Sequence, residues 1–202
     1  MKITKNSDII RDIENLYKLN GVNEFERINL FGIRNSADKK LSIWNDVIGM
    51  YDKLTGTAYL MAGTTDPSAW WTLNHKKGVD NLQIGYHQHL WIIGNHDGKL
   101  AFSQAGNKVS TIRDTNRNFQ IDPSDEIITD RAWWGIDLHT TYRAVKTLGV
   151  IGKASAGCQV VKIWQDFHAI RDIAIGTGQI NFSYLLVDLD IDSQKIYDEV
   201  YG

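Results

Sequence analysis

Cys158 is the one cysteine of the chain, set in Gly152-Lys153-Ala154-Ser155-Ala156-Gly157-Cys158-Gln159-Val160. His139 stands nineteen residues before it, in Gly135-Ile136-Asp137-Leu138-His139-Thr140-Thr141. A thiolate is a strong nucleophile, and an imidazole can generate one by taking the thiol proton. Small residues before Cys158 suit a tight turn that presents the sulfur and aims backbone N–H groups at a substrate carbonyl. Free cysteine is most often buried as a small hydrophobe. This one marks the boundary between a Gly/Ala/Ser stretch and the run Gln159–Trp164, and sites are often built at such boundaries. The chemistry expected is acyl transfer, with Cys158 as nucleophile, His139 as base, and the N–H groups of Gly157 and Cys158 as oxyanion donors.

In order and spacing, His139-Thr140-Thr141 and Ser155-Ala156-Gly157-Cys158-Gln159-Val160 resemble the His-Gly-Thr and Ser-x-Gly-Cys-x-Arg motifs of L,D-transpeptidase catalytic domains. Thr140 replaces the family's Gly, and Val160 stands where the family usually carries Arg. The closer likeness is to a divergent branch with Gly-Ile-Asn-Ile-His and Ser-Ala-Gly-Cys-Gln-Val as landmarks. A weaker echo lies in Val47–Tyr51, Thr57–Ala62 and Gly63–Pro67, so the resemblance spans roughly residues 44 to 187. It implies an enzyme that forms a thioester with a peptidoglycan stem peptide and needs no cofactor. By motif position it adds Ser155 to the catalytic set, as a group that orients His139, with a structural role in the turn as the alternative. Thr141, Trp134, Gln159 and His89 are expected along the substrate cleft. An amine acceptor would make the enzyme a transpeptidase, whereas water would make it an endopeptidase or carboxypeptidase; both stay open.

The elements that must position these residues are mostly β. Asn6-Ser7-Asp8 offers an N-cap ahead of Ile9, Ile10, Ile13, Leu16 and Tyr17, whose spacing predicts an amphipathic helix ending near Asn20-Gly21. Short β-rich runs follow at 42–51, 56–62, 90–95, 100–104, 110–113, 133–139 and 181–187, divided by turn residues. Val161, Trp164, Phe167, His168 and Arg171 predict a helix after Cys158. The fold class expected is α+β: a twisted, barrel-like sheet with an N-terminal helix and a helix after the cysteine. Residues 1–40 are read as a helical extension packed on a catalytic domain of residues 41–202. The sequence does not decide whether the cleft is open or covered by a loop such as 66–79.

Three other constellations compete with the thiol. Asp114, Asn116, Asn118, Asp122 and Asp125 occupy positions 1, 3, 5, 9 and 12 of a calcium-loop template, but Phe119 takes the position of its Gly. The alternative for this segment is a polar connection rich in Asx turns. His87 and His89, with His75 and His96 nearby, offer ligands for a zinc hydrolase, without a His-Glu-x-x-His helix. Seven tryptophans, including Trp70-Trp71 and Trp133-Trp134, suit sugar rings and therefore a non-catalytic wall-binding or virion protein.

A formal net charge of −2 gives no electrostatic case for nucleic acid or an anionic membrane. A single cysteine allows no internal disulfide, and no run approaches the length of a membrane span. The N-terminal residues lack the apolar stretch of a signal peptide. The expectation is a monomer acting in the periplasm or cell wall, either a mature form already stripped of its signal or a protein made in the cytoplasm and released by a phage-type or effector-type route.

Overall fold

The computed structural model describes residues 1–38, 43–76, 78–104, 107–120, 124–131, 135–141 and 151–202. In chain order these form β1 (Lys2–Thr4), α1 (Ser7–Leu19), β2 (Ile28–Arg34), β3 (Asp46–Asp52), β4 (Thr57–Thr64), α2 (Ala69–Asn74), β5 (Asp80–Leu82) and β6 (Gly85–His96). Then come β7 (Lys99–Gln104), β8 (Val109–Arg113), β9 (Glu126–Arg131), β10 (Leu138–Thr140), β11 (Gln159–Val161), α3 (Trp164–Gly176), β12 (Asn181–Asp188) and α4 (Gln194–Tyr201).

The main sheet runs β1-β4-β11-β10-β7-β6-β12-β2-β3, and a further pairing of β3 with β4 closes it into a barrel. One edge of β4 is shared: β1 pairs at Ala58–Leu60, and β11 pairs at Gly63 and Thr64. A separate antiparallel sheet, β5-β8-β9, stands beside the barrel. The protein is therefore mixed and mostly strand, with a barrel-like body.

Two apolar layers hold the strands. Alternate residues of β2 face opposite ways, as a strand requires. Ile28 and Leu30 join an inner core with Met50, Trp91, Phe102, Leu138, Val161 and Tyr184. Phe31 and Ile33 join an outer layer with Ile9, Ile13, Leu16 and Tyr17 of α1 and Ile196 of α4. The start of α1 follows from Asn6, whose side chain accepts the Asp8 N–H at 2.9 Å, and its end from Asn20 and the positive φ of Gly21. The helix after the cysteine is α3, which enters the inner core through Phe167, Ile170 and Ala174.

The boundary expected at residue 40 does not part the fold, because β2 lies inside the barrel between β12 and β3. Every residue of β2 is buried, so its sequence lacks the polar alternation of a half-exposed strand. Of the run expected as a strand at 133–139, Trp133 and Trp134 lie outside the described residues, and β10 begins at Leu138.

Candidate active site

The site is built on β10 and β11, short parallel neighbours in which His139 lies opposite Val160 and Leu138 opposite Gln159. Extending that register by one residue sets Asp137 beside Cys158, and the Gln159 N–H donates to the Asp137 carbonyl at 2.9 Å. Strand alternation then brings Asp137, His139, Cys158 and Val160 to one face, while Leu138 points into the inner core. Two residues expected to act together from distant stretches of sequence thus share one face.

A turn folded on itself holds Cys158. Ser155 Oγ donates to the Cys158 carbonyl at 2.8 Å and accepts the Gly157 N–H at 3.2 Å. Gly157 has φ +130°, and a Cβ there would run into the Asp80 carbonyl oxygen, so only glycine fits. The Ser68 N–H donates to the Ser155 carbonyl at 2.8 Å, and Trp71 Nε1 donates to the Lys153 carbonyl at 3.0 Å, anchoring the turn to the loop and helix after β4. Trp70 stacks edge-on against Trp71, with Lys153 Nζ 4.0 Å from the Trp70 ring centre.

The thiol is 8% exposed, packed with Trp44, Ile151 and Val160, and donates to the Gly135 carbonyl at 3.2 Å. Burial pushes its pKa up to about 12, against the backbone N–H of Asp137, which favours the thiolate. His139 Nδ1 lies 2.9 Å from the Thr140 carbonyl oxygen. A carbonyl can only accept, so Nδ1 carries the proton and Nε2 the lone pair. Burial, and then the neighbouring His96, lower the His139 pKa to about 4, so the ring is neutral at ordinary pH. The resting pair is accordingly a neutral thiol and a neutral imidazole.

His96 completes the cluster. The turn Asp97-Gly98 joins β6 to β7 with positive φ at both residues, which is the two-residue hairpin geometry an Asp-Gly pair favours. His96 ends β6 beside this turn and stacks on His139 with ring centres 4.0 Å apart and planes inclined by 17°. Its Nδ1 is 2.8 Å from Asp137 Oδ2, and that hydrogen bond raises its pKa despite burial. The other Asp137 oxygen accepts the Gln104 N–H at 2.8 Å.

The remaining expected site residues go elsewhere. Ser155 braces the cysteine turn, and the Thr140 carbonyl takes the orienting role at His139. Gln159 is fully buried: Tyr184 Oη donates to its Oε1 at 3.0 Å, and its Nε2 donates to the Gly157 carbonyl at 3.3 Å. It ties the barrel wall to the turn. His89 sits seven residues before His96 on β6, on the order of 20 Å along the strand, and its Nε2 is 3.1 Å from Glu26 Oε1. Thr141 is partly buried just past β10, and Trp134 lies outside the described residues.

The histidines proposed as zinc ligands are separated. A positive φ at His89 and a register shift opposite it break the alternation with His87, whose Nε2 binds the Gln83 carbonyl at 2.8 Å. His75 Nδ1 faces the Gly78 carbonyl at 2.5 Å. In the calcium-type loop, Asp114 accepts the Asn118 and Phe119 N–H groups, Asn116 accepts the Asn118 N–H, and Asn118 accepts the Gln120 N–H. The Asn116 and Asn118 bonds are Asx turns, as in the alternative reading, while Asp114 reaches four and five residues ahead; Asp125 is buried at the loop's end, and Asp122 lies outside the described residues. The role of His96 and Asp137 was missed in sequence. Asp137, two residues before His139, was its one local signal, since strand alternation sends both to one face.

Comparison with protein-family models, with curated proteins and with solved structures finds no match.

Proposed function

We propose that the protein is a peptidoglycan-processing cysteine enzyme of L,D-transpeptidase type. The observation that carries this reading is the placement of Cys158 and His139 on one face of adjacent parallel strands, with the His139 Nδ1 proton held by the Thr140 carbonyl. That leaves Nε2 as the base for the thiol. In the reaction, His139 takes the Cys158 proton as sulfur attacks a stem-peptide carbonyl, and the Asp137 N–H supports the thiolate as it forms. With the Gly157 N–H engaged by Ser155, the oxyanion contact falls to the Cys158 N–H. The imidazolium then protonates the leaving amine, and a thioester remains for an amine or water to resolve.

Hydrolysis is the second reading, favoured by Val160. This residue is wholly buried in an apolar cluster where the resembling family carries Arg, so no cation stands there to seat a charged acceptor. The test is intact mass spectrometry of the wild type and Cys158→Ala after exposure to a carbapenem, then to purified muropeptides. An adduct on the wild type alone is expected, with cross-linked products for a transferase and shortened ones for a hydrolase. A reduced, alkylatable Cys158 that gives neither adduct nor product would sink the enzyme reading and leave a wall-binding or virion protein.

A further inference from the structure

A thioester mechanism needs one imidazole beside the sulfur, and this site holds two. Cys158 Sγ and one ring nitrogen each from His96 and His139 all lie within 4.8 Å of one another. We infer that this thiol and these two imidazoles form a site for a zinc-type divalent cation, whose occupancy shuts off the proposed thioester chemistry at the same sulfur. The inhibitory half rests on the function proposed above; the metal site itself does not.

The donor set suits the ion. One thiolate and two imidazoles, with a fourth position for water, match zinc's preference for nitrogen and sulfur in four-coordinate sites. Both rings already have the tautomer of a ligand. Histidines that bind metal usually donate their other N–H to a carboxylate or backbone carbonyl, which fixes the tautomer. His96 does so to Asp137 Oδ2 and His139 to the Thr140 carbonyl, so each neutral ring carries its lone pair on Nε2. The Asp97 carboxylate, 3.9 Å from His96 Nε2 and exposed, adds negative charge at the outer side of the cluster.

Binding asks for a defined rearrangement. Zinc bond lengths of about 2.0–2.3 Å place ligand atoms roughly 3.3–3.7 Å apart around a tetrahedron, so the cluster must contract by about 1 Å. Stacked rings cannot both aim in-plane lone pairs at one ion, so the His96–His139 stack must open into a V. His96 is the ring able to turn, because it ends a hairpin strand and is only partly buried. Coordination forms two N–metal bonds and one S–metal bond and breaks the S–H bond. The thiol proton leaves to buffer, together with any proton that His96 carries on its coordinating nitrogen, and no oxidation occurs.

The experiment is titration of the metal-free full chain with zinc chloride by calorimetry in two buffers of different ionisation enthalpy, paralleled by cobalt(II) chloride in absorption. One ion per chain, release of at least one proton, and a sulfur-to-cobalt charge-transfer band are expected. Cys158→Ser should abolish the band, and His96→Gln and Asp137→Asn should weaken binding roughly 10–100-fold. No band, or binding unchanged in Cys158→Ser and His96→Gln, would overturn the site. Carbapenem acylation separates the two proposals: zinc should block it in the wild type and a chelator restore it. Metal binding without any acylation of the metal-free protein would keep the site and end the thioester reading. Acylation without metal binding would do the reverse, and acylation undiminished at saturating zinc would overturn the inhibitory half.

Discussion

Two buried polar regions lie on either side of Gly157, and they use burial in opposite ways. On one side, Arg113 grips Asp80 with Nε at 3.2 Å and Nη2 at 2.7 Å, and Thr111 Oγ1 donates to the same carboxylate at 2.9 Å. Arg34 likewise lies 3.0 Å from Asp66 and donates to Thr65. In these two pairs each charge meets its opposite, and the geometry braces the loops around the cysteine turn. On the other side, Cys158 and His139 meet backbone carbonyls, and burial drives both toward their neutral forms. A matched ion pair has no proton to give at neutral pH. A neutral thiol next to a neutral imidazole has one to move, and a dry setting strengthens whatever charge then develops.

The largest test of this contrast is His139→Gln, which keeps much of the volume and removes the base. Carbapenem acylation, followed by intact mass, should slow about 10²–10⁴-fold. The urea midpoint should move far less than in the ion-pair variants. A mutant that acylates at the wild-type rate would show that His139 is packing, or that His96 is the base.

On the braced side the expectation reverses. Asp80→Ala removes the buried carboxylate that Arg113 and Thr111 grip and should cost about 3–5 kcal/mol in urea unfolding, with acylation per folded molecule largely kept. Replacing both, as Asp80→Leu with Arg113→Met, should recover most of that loss, since a buried ion pair contributes little beyond an apolar pair of similar volume. Equal losses in the single and double variants would mean that the charges also hold the turn. Gly157→Ala joins the two regions, because its Cβ would press on the Asp80 carbonyl at a φ that L-residues avoid. It should cost about 3 kcal/mol, at the upper end for a strained backbone position, and slow acylation as well by shifting the cysteine turn.

Features written in adjacent residues were legible in sequence. The Asn6 cap, the apolar stripe of α1, the strands β7, β8 and β12, and the Gly157-Cys158 turn could all be found from a few neighbours each. What escaped depends on pairing across the chain. β2 is apolar on both faces because helices cover its outer side and the barrel its inner side, and β11 is only three residues long. His96 was noticed as a possible ligand but grouped with His87 and His89. Only the hairpin β6–β7 and its pairing onto β10 carry it to His139. Gln159 looked like a cleft residue by motif position, yet the parallel pairing of β10 with β11 turns it into the wall, where Tyr184 holds it.

The smallest expected effect sharpens the comparison through acid. His139 has a folded pKa near 4, below the ordinary value of 6.5, so between these values the unfolded chain binds a proton that the folded chain refuses. Stability from this group is therefore present above pH 6.5 and lost as pH falls toward 4, by about 3 kcal/mol at most. His87, also lowered by burial, acts in the same direction. His96 acts the other way: its raised pKa contributes stability below its unfolded value, and this is lost as pH rises through the folded one. Urea unfolding of the wild type and His139→Gln at intervals from pH 4 to 7 isolates the His139 share as the difference between two curves. That difference should slope upward with pH across the window, and Asp137→Asn, which weakens the hold on His96, should change the slope. A flat difference would mean that His139 takes up its proton at the same pH in the folded and the unfolded chain, so that burial does not hold the ring neutral through this window, as the contrast between the two regions requires.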